Sequence, residues 1–211
     1  MMSKREDKRR GLQTTYGVEF IVKDKDGNVI NRHVQEAKSF LPNYMKWLLS
    51  ILGVKSMPII DLNNNVVNIL ASQHTGVSGY AVHHILANPT QDQTGIRVGS
   101  SNQPVSPLDY NLIQFIPHGT ITNRLQYGQC TTDDNILLQG NESSFIASRT
   151  FTNSSGSGVT VGEAGVVMYS SIGGTNQYEA FFLIARDAIS SPLIIPDAAT
   201  LTVRYKFRIL T

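Results

Sequence analysis

Apolar and polar residues alternate most regularly near the end of the chain. Leu201, Val203, Tyr205, Phe207 and Ile209 fall on one side of an extended backbone, and Thr202, Arg204, Lys206 and Arg208 on the other. Strand side chains point alternately to two faces, so this period of two predicts a strand with one buried and one wet face. Residues 144–151 alternate toward their end. Shorter apolar runs occupy 158–161, 165–169, 178–185 and 193–195, the last bounded by Pro192 and Pro196. Turn-forming clusters, Asn153-Ser154-Ser155-Gly156-Ser157 and Gly173-Gly174, punctuate them. Short strands separated by Gly, Asn, Ser and Pro predict an all-β sandwich or barrel.

The first half is less uniform. Strand-like runs at 16–23 and 28–35 flank Asp24-Lys25-Asp26-Gly27, which predicts a hairpin. The same residues resemble the start of a calcium loop, but Gly27 stands at position 4 of that pattern instead of 6, so the turn is the reading taken. One helix is predicted within 37–52, its regular part at 39–52, with Ser39 as N-cap, Pro42 in the first turn and Gly53 as the stop. Phe40, Leu41, Tyr44, Trp47, Leu48, Ile51 and Leu52 share one helical face. That face is expected to pack on the sheet. Phe40, Tyr44, Trp47, Leu48 and Ile51 are also the candidate docking face for another subunit. Only Lys46 lies opposite, too little charge for a membrane-surface helix. Beyond it, 58–62 and 66–70 predict strands around Asn63-Asn64-Asn65, and 71–94 reads as a long loop suited to contact with neighbours. Strands follow at 95–99, 112–117 and 124–130, with a polar loop from 100 whose single turn is capped by Ser106.

Composition narrows the class. A chain of 211 residues buries a substantial core as one domain. The expected organisation is a basic arm at 1–13 and a single jelly-roll-like antiparallel sandwich at 14–211, carrying one amphipathic helix. Cys130 is the only cysteine, so an intrachain disulfide is excluded, which fits a reducing cytoplasm. Lys4, Arg5, Lys8, Arg9 and Arg10 against Glu6 and Asp7 exceed the net +2 of the whole chain, so the body is nearly neutral. Such an arm suits an acidic neighbour or a weak DNA contact, and it lacks aromatics for stacking on bases. No apolar segment follows the charged start as a secretory signal requires. The apolar stretch at 47–54 is far too short to span a bilayer.

Candidate chemistry is sparse. His74, His83 and His84 lie in the irregular stretch, with His33 and His118 elsewhere, and none shows paired helical ligand spacing. Neighbouring His83 and His84 on a strand face opposite ways. Asp133 and Asp134 read as a solvated turn. Cys130 has no adjacent His or cation to activate it. Arg186 beside Asp187 reads as a structural pair. The glycines form no phosphate loop. No enzyme, metal or cofactor is therefore expected.

Several strings carry a resemblance: Phe151-Thr152-Asn153-Ser154-Ser155-Gly156, Val159-Thr160-Val161-Gly162-Glu163-Ala164-Gly165, Phe182-Leu183-Ile184-Ala185-Arg186-Asp187-Ala188-Ile189 and Ile195-Pro196-Asp197-Ala198-Ala199-Thr200. Upstream, Lys38-Ser39-Phe40-Leu41, Ile96-Arg97-Val98-Gly99-Ser100, Ser106-Pro107-Leu108-Asp109-Tyr110, Pro117-His118-Gly119 and Leu125-Gln126-Tyr127-Gly128 fit the same pattern. From about residue 29 onward the chain resembles structural proteins of tailed bacteriophages. That resemblance implies a non-enzymatic virion component (capsid decoration, neck or tail) that packs against copies of itself and other virion proteins. The alternative is a fibre or decoration module gripping a host glycan through Tyr80, Tyr110 and Tyr178.

Overall fold

A computed structural model describes residues 13–37, 40–53, 55–69, 81–172 and 178–210. Its centre is one long antiparallel ribbon. Strand β9 (Glu142–Thr152) leads into β10 (Val159–Ile172), and β11 (Tyr178–Ile195) leads into β12 (Thr200–Leu210). β9 pairs with β12 from Glu142 opposite Leu210 to Thr152 opposite Thr200. β10 pairs with β11 from Val159 opposite Ile195 to Ile172 opposite Tyr178. The ribbon folds over at 153–158 and 196–199, placing half of its length in each of two sheets, as in double-sheet jelly rolls. Asn153 pins the fold. Its buried amide donates to Ser157 O at 2.7 Å and Ile195 O at 2.8 Å, while its backbone exchanges bonds with Ala198 and Ala199.

The larger sheet runs β2–β1–β12–β9–β7, with β8 beside β7 on the same side of β9. Here β1 is Gln13–Lys23, β2 Val29–Ala37, β7 Gln126–Thr132 and β8 Leu137–Gln139. The smaller runs β11–β10–β5, with β5 at Ala81–His84 and β6 (Gly95–Gly99) also on β10. β3 (Met57–Ile60) and β4 (Val66–Ile69) form a separate hairpin against which α1 (Pro42–Leu52) packs. Val18, Phe20 and Val22 of β1 and Leu201, Val203 and Tyr205 of β12 share one core with Val161, Val166, Phe182 and Ile184 of the other sheet. Each such side chain contributes roughly 1.5–3 kcal/mol through burial.

The sandwich and the first hairpin match expectation. At the hairpin, Gly27 adopts φ 85° and Asp24 Oδ1 accepts from Asp26 N and Asn28 N, both at 2.9 Å. Elsewhere the boundaries move. The runs at 158–161 and 165–169 are one strand, because Gly162 marks a close approach, not a break: a Cβ there would lie 2.7 Å from Ser100 O. The runs at 178–185 and 193–195 are likewise one strand. Pro192 is tolerated because β11 edges its sheet. The expected strand at 112–117 is only an isolated bridge, Phe115 with Gly99. Within the expected loop at 71–94, residues 81–84 are strand β5, and 71–80 lie outside the described residues. The helix begins at Pro42 with Leu41 as N-cap and no capping side chain, and Ala37 belongs to β2. Ser39 lies outside the described residues.

Candidate functional site

The inner row of β12 is sealed at its middle and open at one end. Leu201, Val203 and Tyr205 are fully buried, Phe207 is half-buried, and Ile209 is 41% exposed. At that end the core opens into a groove of about 510 Å³, lined by helix, both sheets and the loop after β5. Its lining is largely apolar and includes the rings of Phe40, Tyr44, Trp47, Phe145 and Phe207. Phe145 and Phe207 are cross-strand partners whose rings stack at 4.9 Å and 14°. Phe40 stacks on Tyr44 at 4.2 Å and reaches Phe207 at 6.2 Å. Trp47 extends the row, 5.9 Å from Tyr44 and 6.4 Å from His83. Burial holds the Tyr44 phenol above its ordinary pKa. Trp47 Nε1 is buried with no hydrogen-bond partner among the described residues. Where β1 begins, Gln13 pairs with Leu210, immediately beside the groove residue Ile209.

The helix is held over this groove by polar bonds. Leu41 N donates to Ile184 O at 2.9 Å, extending the free edge of β11. Asn43, buried beneath the helix, donates to Ile60 O at 2.8 Å and Leu183 O at 3.3 Å, and its Oδ1 accepts from Ile60 N at 3.1 Å. One amide thus joins α1, β3 and β11. This tilts the helix toward Asn43 and Ser50, its two buried residues. Of the predicted face, Phe40, Tyr44 and Trp47 pack against the core and line the groove, Leu48 is half-buried, and Ile51 is exposed. Met45, Leu49 and Leu52 form an exposed apolar row.

Two buried arginines organise the loops around the smaller sheet. Arg186 does not pair with its neighbour Asp187, since adjacent strand residues face opposite ways. Its guanidinium instead meets Glu163 at 2.7 Å and Asp109 at 2.8 Å and donates to the carbonyls of Gln103 and Pro104. Glu163 in turn accepts from the backbone of Ile113 and Gln114, so this cluster staples the loop after β6. Among the described residues no carboxylate bonds Arg149. Its five N–H groups meet five carbonyls, those of Gly128, Thr94, Ile96, Asn88 and Gln91. Its guanidinium also lies 4.6 Å from the Tyr127 ring. Desolvation pushes its pKa down. All five N–H groups of Arg149 and four of the five of Arg186 are engaged by the fold, a structural arrangement.

The arm residues Lys4, Arg5, Lys8, Arg9 and Arg10 lie outside the described residues, as do Tyr80 and the side chain of Tyr178. Tyr110 is 37% exposed and does not line the groove. Cys130 is buried, and burial raises its thiol pKa, the opposite of activation. Asp133 closes a strand end by accepting from Ile146 N at 2.9 Å. No group of three or more possible metal ligands occurs among the described residues, and no helix there is long and apolar enough to cross a membrane. Sequence reasoning missed Arg149, although alternation places it in register with Phe145, Ala147 and Phe151, on the inner face. No family model, curated protein or solved structure matches the chain.

Proposed function

We propose that the protein is a non-enzymatic structural component of a tailed-phage virion, assembling with copies of itself and with other virion proteins. The sandwich is the rigid body, and the arm, which ends at residue 12 because Gln13 belongs to β1, reaches onto a neighbour. The observation that carries this reading is the placement of the arm's root beside the aromatic groove, where Gln13 pairs with Leu210. Lysine and arginine side chains find favourable ground over aromatic faces, so a neighbour's arm fits the row Phe145–Phe207–Phe40–Tyr44–Trp47. The resemblance to phage structural proteins supports the same reading. The groove's largely apolar lining favours a peptide segment over a sugar, and Tyr110 stands apart from it.

The test compares the full chain with one lacking residues 1–10, by light scattering at low and high salt. The full chain is expected to form a discrete oligomer that loosens with salt, since exposed charges are screened beyond ~8 Å at physiological ionic strength. The truncated chain is expected to fall to a smaller species. Equal masses and equal salt response in the two proteins would refute the role of the arm.

A further inference from the structure

The larger sheet ends at β2, whose second edge carries no strand partner among the described residues. An unpaired edge presents a row of N–H and C=O groups ready to extend the sheet, and proteins ordinarily blunt such edges. Here the bulge lies only at the turn end, near Val22 and Lys23, and the rest of the ladder is regular. The nine-residue strand also exposes Val29, Ile30 and Val34, the last at 63%.

We propose that this edge pairs antiparallel with the same edge of a second copy, about a two-fold axis at Val34. An axis perpendicular to the sheet keeps like faces together and makes each off-axis contact occur twice. Arg32, Val34 and Glu36 lie on the outer face, opposite Ile21, Glu19 and Gly17 of β1. Centring on Val34 sets Val34 against Val34 and Arg32 against Glu36 on both sides of it. On the inner face the same register sets His33 against Gln35, a ring nitrogen against an amide. These two already meet at 2.9 Å within one chain. Shifting the centre by one residue sets either Arg32 or Glu36 against Val34 and loses both ion pairs. The strand is therefore self-complementary in charge at one register, and opposite charges directly across a ladder favour pairing while like charges oppose it. Arg32 also engages Glu19 at 2.7 Å in its own chain, and a guanidinium has donors for both carboxylates. Main-chain bonds supply the affinity of such strand addition, and the side-chain pairs supply the specificity.

The test uses full-length protein and sedimentation equilibrium over a concentration series. Wild type is expected to show a mass that is an even multiple of the 23.2 kDa chain. Val34→Lys and Val34→Glu each put like charges on the axis, and each is expected to weaken self-association about tenfold or more. An equimolar mixture of the two variants is expected to recover it, because Lys then faces Glu. At a concentration where wild type is dissociated, the Val34→Lys melt should match or exceed wild type, since Val34 is exposed and a lysine there faces Glu19 of β1. A monomeric wild type, a variant that associates like wild type, or a mixture no better than its parts would each overturn the proposal. Deleting residues 1–10 is expected to leave this edge contact intact, which separates it from the role proposed for the arm.

Discussion

Replacing Arg149 with Met tests whether a buried cation without a carboxylate partner is essential to the fold. The side chain is 1% exposed, and its bonds to Thr94 O at 3.0 Å and Ile96 O at 3.1 Å are fully buried. Stranding a buried acceptor costs about 1–3 kcal/mol, so these two alone lose ~2–6 kcal/mol. The lost contact with the buried Tyr127 ring adds about 2 kcal/mol. Relief of the buried charge offsets several kcal/mol of this. The carbonyls of Gly128, Asn88 and Gln91 sit in partly buried bonds and regain water at lower cost. A net loss of about 3 kcal/mol is expected, a large share of the ~5–15 kcal/mol typical of a domain. Urea unfolding followed by Trp47 fluorescence measures it, with Arg204→Met as the control. Arg204 is 48% exposed and is expected to change stability by less than about 0.5 kcal/mol. Arg149→Lys should resemble Met more than wild type, because an ammonium offers three donors to five carbonyls arranged for a planar fork. If Arg149→Met unfolds within ~1 kcal/mol of wild type, the carbonyls are satisfied otherwise and the reasoning fails.

Two further predictions concern the groove and the core. Asn43→Ala removes three bonds that join the helix to β3 and β11, and is expected to cost roughly 2 kcal/mol; a red-shifted Trp47 emission should accompany it, and an unchanged spectrum with unchanged stability would exclude Asn43 as the anchor. Burial raises Cys130 and Tyr127 above their ordinary values of 9.0 and 10.0. Stability from these groups is complete below about pH 8, where they are neutral in both states. It falls as pH rises further, because the unfolded chain ionises first. The urea midpoint should therefore drop between pH 8 and 10.5, native Cys130 should resist thiol reagents, and a flat midpoint would contradict the burial effect.

Much of the sandwich was legible because alternation is a local signal. The five inward residues of β12 could be read directly, and the Asp24–Gly27 turn contains the side chain that closes it. Strand continuity was harder, since glycine and proline usually break strands. Gly162 and Pro192 instead reflect a neighbouring backbone and a sheet edge, which only the assembled fold defines. The candidate site was half legible. Phe40, Tyr44 and Trp47 were identified from helical period, but the roll of the helix depends on Asn43, whose partners lie in β3 and β11. Phe145 and Phe207 looked like ordinary core residues because nothing local marks the end at which a sandwich opens. Arg186 was expected to bond Asp187, its neighbour in sequence, yet its partners stand 23 and 77 residues away.

The position of β12 carries a consequence for how the chain reaches its native state. β12 lies between β1 and β9, so among the described residues the first hairpin's strand pairing with the body runs only through residues 200–210. Contacts such as Gln13 with Leu210 span nearly the whole described chain. Folds dominated by such distant pairings close slowly, because chain entropy is lost before the contacts form. Until β12 arrives, the β1–β2 hairpin has two open edges instead of one, and both invite a stranger's strand. Loss of residues 200–210 would therefore do more than shorten the sheet. It would separate the first hairpin from the ribbon and leave a sticky intermediate as the end state.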